Sequence, residues 1–100
     1  MTRSFTKTDP EIFRRAGECL RILSHPMRLQ LVELLLQDRF TVGELAEECD
    51  LLPHVASEHL RKLEGCGLLT KERDGRKTYY RSAQDCVTQI MDCVHRHFTQ

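Results

Sequence analysis

One hundred residues, 40% apolar and 30% charged, suit one globular domain and exclude a disordered chain. Formal charge is zero, fifteen Lys/Arg against fifteen Asp/Glu. Yet residues 53–81 hold seven Lys/Arg against four Asp/Glu, so one stretch is basic and the remainder acidic. No apolar run approaches the roughly 20 residues that span a bilayer. The opening MTRSFTKTD has no apolar signal core, so a cytoplasmic address without membrane attachment is expected. Five cysteines, an odd number with no CxxC pair, argue for reduced thiols over a disulfide framework.

The spacing predicts one domain over 1–100, built as follows. TDPEIFRRAGECLRILS opens a helix over about 9–24: Asp9 caps, Pro10 suits the first position, and Ile12, Ala16, Cys19, Leu20 and Leu23 form an apolar stripe. HPMRLQLVELLLQD repeats the device with Pro26, pointing Leu29, Val32, Leu35 and Leu36 inward. Thr41 and Glu44 form a capping box at the head of the next helix, whose inner side carries Leu45, Ala46 and Cys49. After the tight DLLP connection, PHVASEHLRKLEGCG gives a helix with Val55, Ala56, Leu60 and Leu63 inside, ended by the Gly65/Gly67 pair. Two short helices joined by a tight turn, over 41–66, are a helix-turn-helix pattern.

A wing is expected over 67–82. LLTKERDGRKTYYRS alternates around Asp74-Gly75, and a tight two-residue turn there sets Arg73 opposite Arg76, Glu72 opposite Lys77 and Leu69 opposite Tyr80. Residues 83–98 return to helical spacing. The fold class is therefore mainly α with a β-hairpin wing, a winged helix-turn-helix in the order α-α-α-α-β-β-α.

Such a fold predicts binding to double-stranded DNA. The outward positions of the second helix of the pair are His54, Ser57, Glu58, Arg61 and Lys62, with His59 bordering the inner stripe. Ser57 and Glu58 suit base edges, Arg61 and Lys62 suit phosphate. Arg73, Arg76 and Lys77 at the wing tip suit the backbone or the minor groove. Glu58 and Glu64 work against phosphate contact. No nucleophile–base pair, phosphate loop or carboxylate dyad points to an enzyme.

On the last helix Cys86, Ile90, Cys93 and His97 share one side, and Val87, Met91, Val94 and Phe98 form the adjacent stripe. So wide an apolar face in a small domain suits burial against a second copy of the same helix, a seam in which cysteine packs as a small hydrophobe. Cys86 and Cys93 stand about 10 Å apart along the helix, too far for a disulfide or one shared ion. Cys93 and His97, at i and i+4, can share an ion, but further ligands must come from a partner chain.

LRILSHPMRLQLVELL (20–35), TVGELAEECDL (41–51), VASEHLRKLEGCGLL (55–69) and RDGRKTYYR (73–81) together resemble the ArsR-type winged-helix repressors over residues 12 to 98. The resemblance implies a homodimer through first and last helices, a pseudo-palindromic operator and release by an effector. It also implies an interfacial metal site on the last helix, whose matching positions here are Gln84, Cys86, His97 and Gln100. Amides replace both carboxylates, and the Cys/His set with Cys93 favours zinc, cadmium, copper(I) or arsenite. The family's paired-thiolate motif is absent, since Arg39 to Glu44 occupy that segment, and Lys62 stands where a partner for Cys66 would be. A thiol sensor lacks a cysteine near Val32 or Glu33, for which Cys19 is the substitute. Leu52 and Pro53 replace the polar residues usual at the start of the recognition helix. Two further readings stand beside a DNA-binding repressor: a thiol/metal-binding homodimer without specific DNA binding, and a winged-helix regulator with no effector site.

Overall fold

The computed structural model describes residues 2–83 and 85–99, except for the side chain of Cys86. It runs α1 (Pro10–Leu23), α2 (Pro26–Gln37), β1 (Phe40–Thr41), α3 (Val42–Glu48), α4 (Pro53–Gly65), β2 (Leu69–Asp74), β3 (Lys77–Ser82) and α5 (Asp85–Phe98). Helix starts follow local chemistry. Asp9 accepts from Glu11 N–H at 2.9 Å, and His25 Nδ1 accepts from Met27 N–H at 3.1 Å, each ahead of a proline. The Thr41–Glu44 capping box closes with bonds of 2.8 and 3.1 Å. Leu52 gives α4 no side-chain cap, and Pro53 alone pre-sets the first turn.

Between α3 and α4 the chain reverses over Cys49–Leu52, with Asp50 at φ 55° and Leu51 N–H bonded to Ala46 O at 2.8 Å. Aspartate is among the few residues that tolerate this left-handed conformation. Gly67, at φ 85°, ends α4 in a Schellman motif: its N–H reaches Glu64 O and Leu68 N–H reaches Leu63 O. The turn in the helix pair and the lead into the wing are thus both fixed by backbone geometry.

Leu31, Val32 and Leu35 of α2 form the centre of the core, with Leu45 of α3, Leu60 and Leu63 of α4, Leu69 and Tyr80 of the sheet, and Val87 and Met91 of α5 around them. Val87 and Met91 therefore serve their own chain and are not available to a dimer partner, a correction to the expected seam. In so small a domain α2 needs cover on that side, and α5 supplies it. Ile90 and Val94 are half-buried against the same core, while Leu20 and Phe98 are exposed.

The sheet has three strands in the order β1-β3-β2, all antiparallel. β1, two residues long, is too short to show an alternation in sequence. The wing register also differs from the expected one. Asp74 faces Lys77, Arg73 faces Thr78, Glu72 faces Tyr79, Lys71 faces Tyr80 and Leu69 faces Ser82. The two-residue loop is Gly75-Arg76 rather than Asp74-Gly75, because Gly75 takes φ 64° at the first loop position, as a type II′ turn requires. Among the described residues no helix is long and apolar enough to cross a membrane.

Candidate nucleic-acid interface

The face of α4 opposite Ala56, Leu60 and Leu63 carries His54, Glu58, Arg61 and Lys62 in the open, with Ser57 half-buried beside them. Glu58, Arg61 and Lys62 border one shallow hollow. This is the geometry a major-groove helix needs: a flat back of small and branched apolar residues, and a front of donors and acceptors.

His59 is held within the chain. Arg28 Nε donates to His59 Nδ1 at 3.2 Å while its other nitrogen bonds Ile22 O at 3.0 Å, and the His25 ring lies 4.8 Å from His59 at 56°. Arg28 thus ties the end of α1 to α4, and His59 must be neutral at Nδ1 to accept. Burial, then His25 and Arg28, push its pKa below the ordinary histidine value. The unfolded chain therefore binds this proton more readily than the native one, so stability falls as pH drops through about 6.5, the free-histidine value. The thermal midpoint should decline between about pH 7.5 and pH 5.5, and His59→Gln should flatten that decline. An unchanged slope in the variant would remove His59 as its source.

In the wing, facing residues alternate sides. Lys71 and Arg73 share a side with Leu69, toward α4, and Lys71 Nζ meets Glu64 at 3.4 Å. Glu72 and Asp74 lie on the other side, where Arg39 meets them at 3.1 and 3.2 Å and stacks 4.1 Å over the Tyr79 ring. Arg81 reaches Glu72 at 3.4 Å. The Arg39 guanidinium pKa is raised by these two carboxylates, Glu72 first. Three of the four carboxylates in the basic segment thus face cations of their own chain, and Arg73, Arg76 and Lys77 stand exposed at the tip. Arg39 is a residue that reading the sequence missed; its partners lie 33 and 35 positions away and no local spacing announces them.

The expected sensor set was to be completed by a partner chain, and among the described residues of one chain it forms no metal cluster. Cys93 and His97 are exposed, and His97 has its ring 6.5 Å from Phe98. The side chains of Gln84, Cys86 and Gln100 lie outside the described residues. Among the described residues no three His, Cys, Asp or Glu groups converge as a metal site. His95, on the far side from His97, bonds Glu33 of α2 at 2.8 Å. Cys19 was expected against a partner's last helix. Instead its thiol donates to Cys66 O of its own chain at 3.0 Å. Burial, helped by Glu48, raises the Cys49 thiol pKa, in keeping with a packing role.

Known proteins match this arrangement. The family described as "Helix-turn-helix domain" matches residues 23–72. The biofilm growth-associated repressor of Agrobacterium fabrum is 32% identical over 92 residues, spanning 89% of this chain and 79% of that protein. The HTH-type transcriptional repressor SmtB of Mycobacterium tuberculosis is 36% identical over 81 residues, and the match spans 81% of this chain and 60% of that protein. NolR from Sinorhizobium fredii superposes with a TM-score of 0.84 at 27% identity over 97% of each chain. The chain belongs to the ArsR/SmtB-type family of winged-helix transcriptional repressors.

Proposed function

We propose that this chain is a dimeric, sequence-specific DNA-binding repressor acting in the cytoplasm. The observation that carries the reading is the sorting of charge in the basic segment. Glu64, Glu72 and Asp74 meet Lys71, Arg39 and Arg81, while the cations at the front of α4 and at the wing tip point into solvent. A phosphate backbone laid across α4 and the wing meets donors at both ends and few uncompensated carboxylates. His54, Ser57 and Glu58 are then placed to read bases.

The dimer is supported by large apolar side chains that one chain leaves open. Ile12, Phe13 and Leu20 of α1 and Phe98 of α5 are between 53% and 80% exposed. A second copy covering these residues turns two recognition helices toward one face of a duplex, so the operator is a pseudo-palindrome with half-sites about one helical turn apart. Selection from a random duplex pool, followed by mobility-shift titration across salt, tests both statements. The selected sequence should be two-fold symmetric and bind at least about 1,000-fold tighter than random DNA. Equal, weak binding to every duplex would overturn the repressor reading.

A further inference from the structure

Among the described residues, Cys19 of α1 and Cys66, the residue that caps α4, form a thiol pair. Cys19 and Cys66 are 47 positions apart, both half-buried, and meet where α1 crosses the C-terminal end of α4. The Cys19 thiol donates to Cys66 O at 3.0 Å, and the Cys66 thiol donates to Leu63 O at 3.4 Å. Each thiol proton thus serves a carbonyl of the last turn of α4. The pair lines an open cleft with Arg15, Glu18, Ile22, Lys62 and Gly65, wide enough at about 450 Å³ to admit a small molecule.

We propose that Cys19 and Cys66 are an oxidant-sensitive dithiol, closing to an intrachain disulfide when a hydroperoxide enters the cleft. The roles of the two sulfurs differ. Burial and the adjoining Cys19 side chain push the Cys66 thiol up to about 11, so Cys66 is assigned the second step and Cys19, whose sulfur meets it, the first. Arg15 and Lys62 line the cleft that holds Cys19, against the one carboxylate of Glu18. The Cys19 thiolate attacks the near peroxide oxygen; the O–O bond breaks, giving a sulfenic acid on Cys19 and an alkoxide that takes up a proton. Cys66 then gives up its proton and attacks the Cys19 sulfur, which expels its hydroxyl as water. Two thiols lose two electrons in total, and the hydroperoxide becomes an alcohol and water.

Closure removes both thiol protons, so Cys66 O loses its thiol donor and Leu63 O is left with Leu68 N–H, as a covalent bond draws α1 onto the end of α4. The helix that bears Ser57, Arg61 and Lys62 is thereby re-anchored at its C-terminus. In this respect the inference rests on the DNA-binding reading above, and oxidation should weaken operator binding on the order of ten-fold, within the usual range of coupling between two sites.

The experiment treats the reduced, full-length dimer with hydrogen peroxide and reads two signals. The first is chemical: intact mass should fall by two hydrogens per chain, and non-reducing peptide maps should join the peptides holding Cys19 and Cys66. The second is operator affinity before and after dithiothreitol. Cys19→Ser and Cys66→Ala should each abolish the mass loss, whereas Cys93→Ser should keep it. The wild-type map needs no variant to fold. A link through Cys86 or Cys93, a bond between chains, or no link at peroxide levels that oxidise free cysteine overturns the dithiol. A mapped Cys19–Cys66 bond with unchanged operator affinity overturns its coupling to DNA. Absence of any operator binding in the reduced protein is instead the failure of the repressor reading, and the chemical signal still judges the dithiol.

Discussion

Replacing Leu60 by alanine should destabilise the domain by about 3 kcal/mol, the usual cost of a core leucine truncation, and abolish DNA binding at temperatures where the wild type is folded. Leu60 is fully buried, and it packs α4 against the central leucines of α2. In a domain of this length a loss of that size lowers the thermal midpoint by roughly 15 °C. Arg61→Ala is the matched control, one residue on and on the open side of the same helix. It should change stability by less than about 0.5 kcal/mol while weakening operator binding. A stable Leu60→Ala paired with an unstable Arg61→Ala would mean that α4 presents the opposite face, and the interface would have to be redrawn.

Leu60 also shows why so much of the fold was readable in the sequence. Leucines and alanines at helical spacing, opened by Asp9, Pro10, Pro26, the Thr41–Glu44 box and Pro53, give each helix its start and its inner face from residues a few positions apart. Local chemistry of that kind needs no tertiary knowledge. The wing register did need it. Asp74-Gly75 is a strong hairpin signal, but both Asp74-Gly75 and Gly75-Arg76 can supply the glycine of a primed turn. The choice fell to contacts outside the turn: Phe40 pairs with Tyr80, and Arg39 holds Asp74 in the strand. Val87 and Met91 were placed in the seam for a related reason. A wide apolar face on the last helix says that two surfaces must be covered. It does not say that Val87 and Met91 cover α2 of their own chain while Phe98 stays outside.

The site divides along the same line. The outward placement of His54, Ser57, Glu58, Arg61 and Lys62 was legible because one helix presents them, and helical period alone separates them from Leu60 and Leu63. The Arg28–His59 bond, Arg39 and the Cys19–Cys66 pair were not, because each joins residues more than thirty positions apart. Helical period makes Cys86, Cys93 and His97 a cluster to the eye, whereas tertiary contact singles out Cys66, a residue with no spacing partner at all.

Substituting alanine at Arg73, Arg76 and Lys77 together should weaken binding to operator and random DNA alike, on the order of a hundred-fold at moderate salt, if each phosphate contact is worth about 1 kcal/mol. The slope of log affinity against log salt should flatten by about three contacts' worth, with base preference unchanged. The reason is geometric. All three side chains sit beyond the apolar base of the wing, at or beside the Gly75-Arg76 loop, where the proposed interface has them touch a backbone and leaves base edges in the major groove to α4. Arg39→Ala should reproduce part of the loss without touching DNA. Removing it takes away the partner of Asp74, leaves Glu72 with Arg81 alone beside the approaching phosphates, and removes the guanidinium stacked on Tyr79 of the wing. It is therefore a positioning residue, and Arg39→Lys, which keeps the charge but loses the fork and the stacking plane, should recover only part of the affinity. A triple variant that altered base preference with the salt slope intact would place the wing in a groove as a reader of sequence, and the division of labour between wing and recognition helix would not hold.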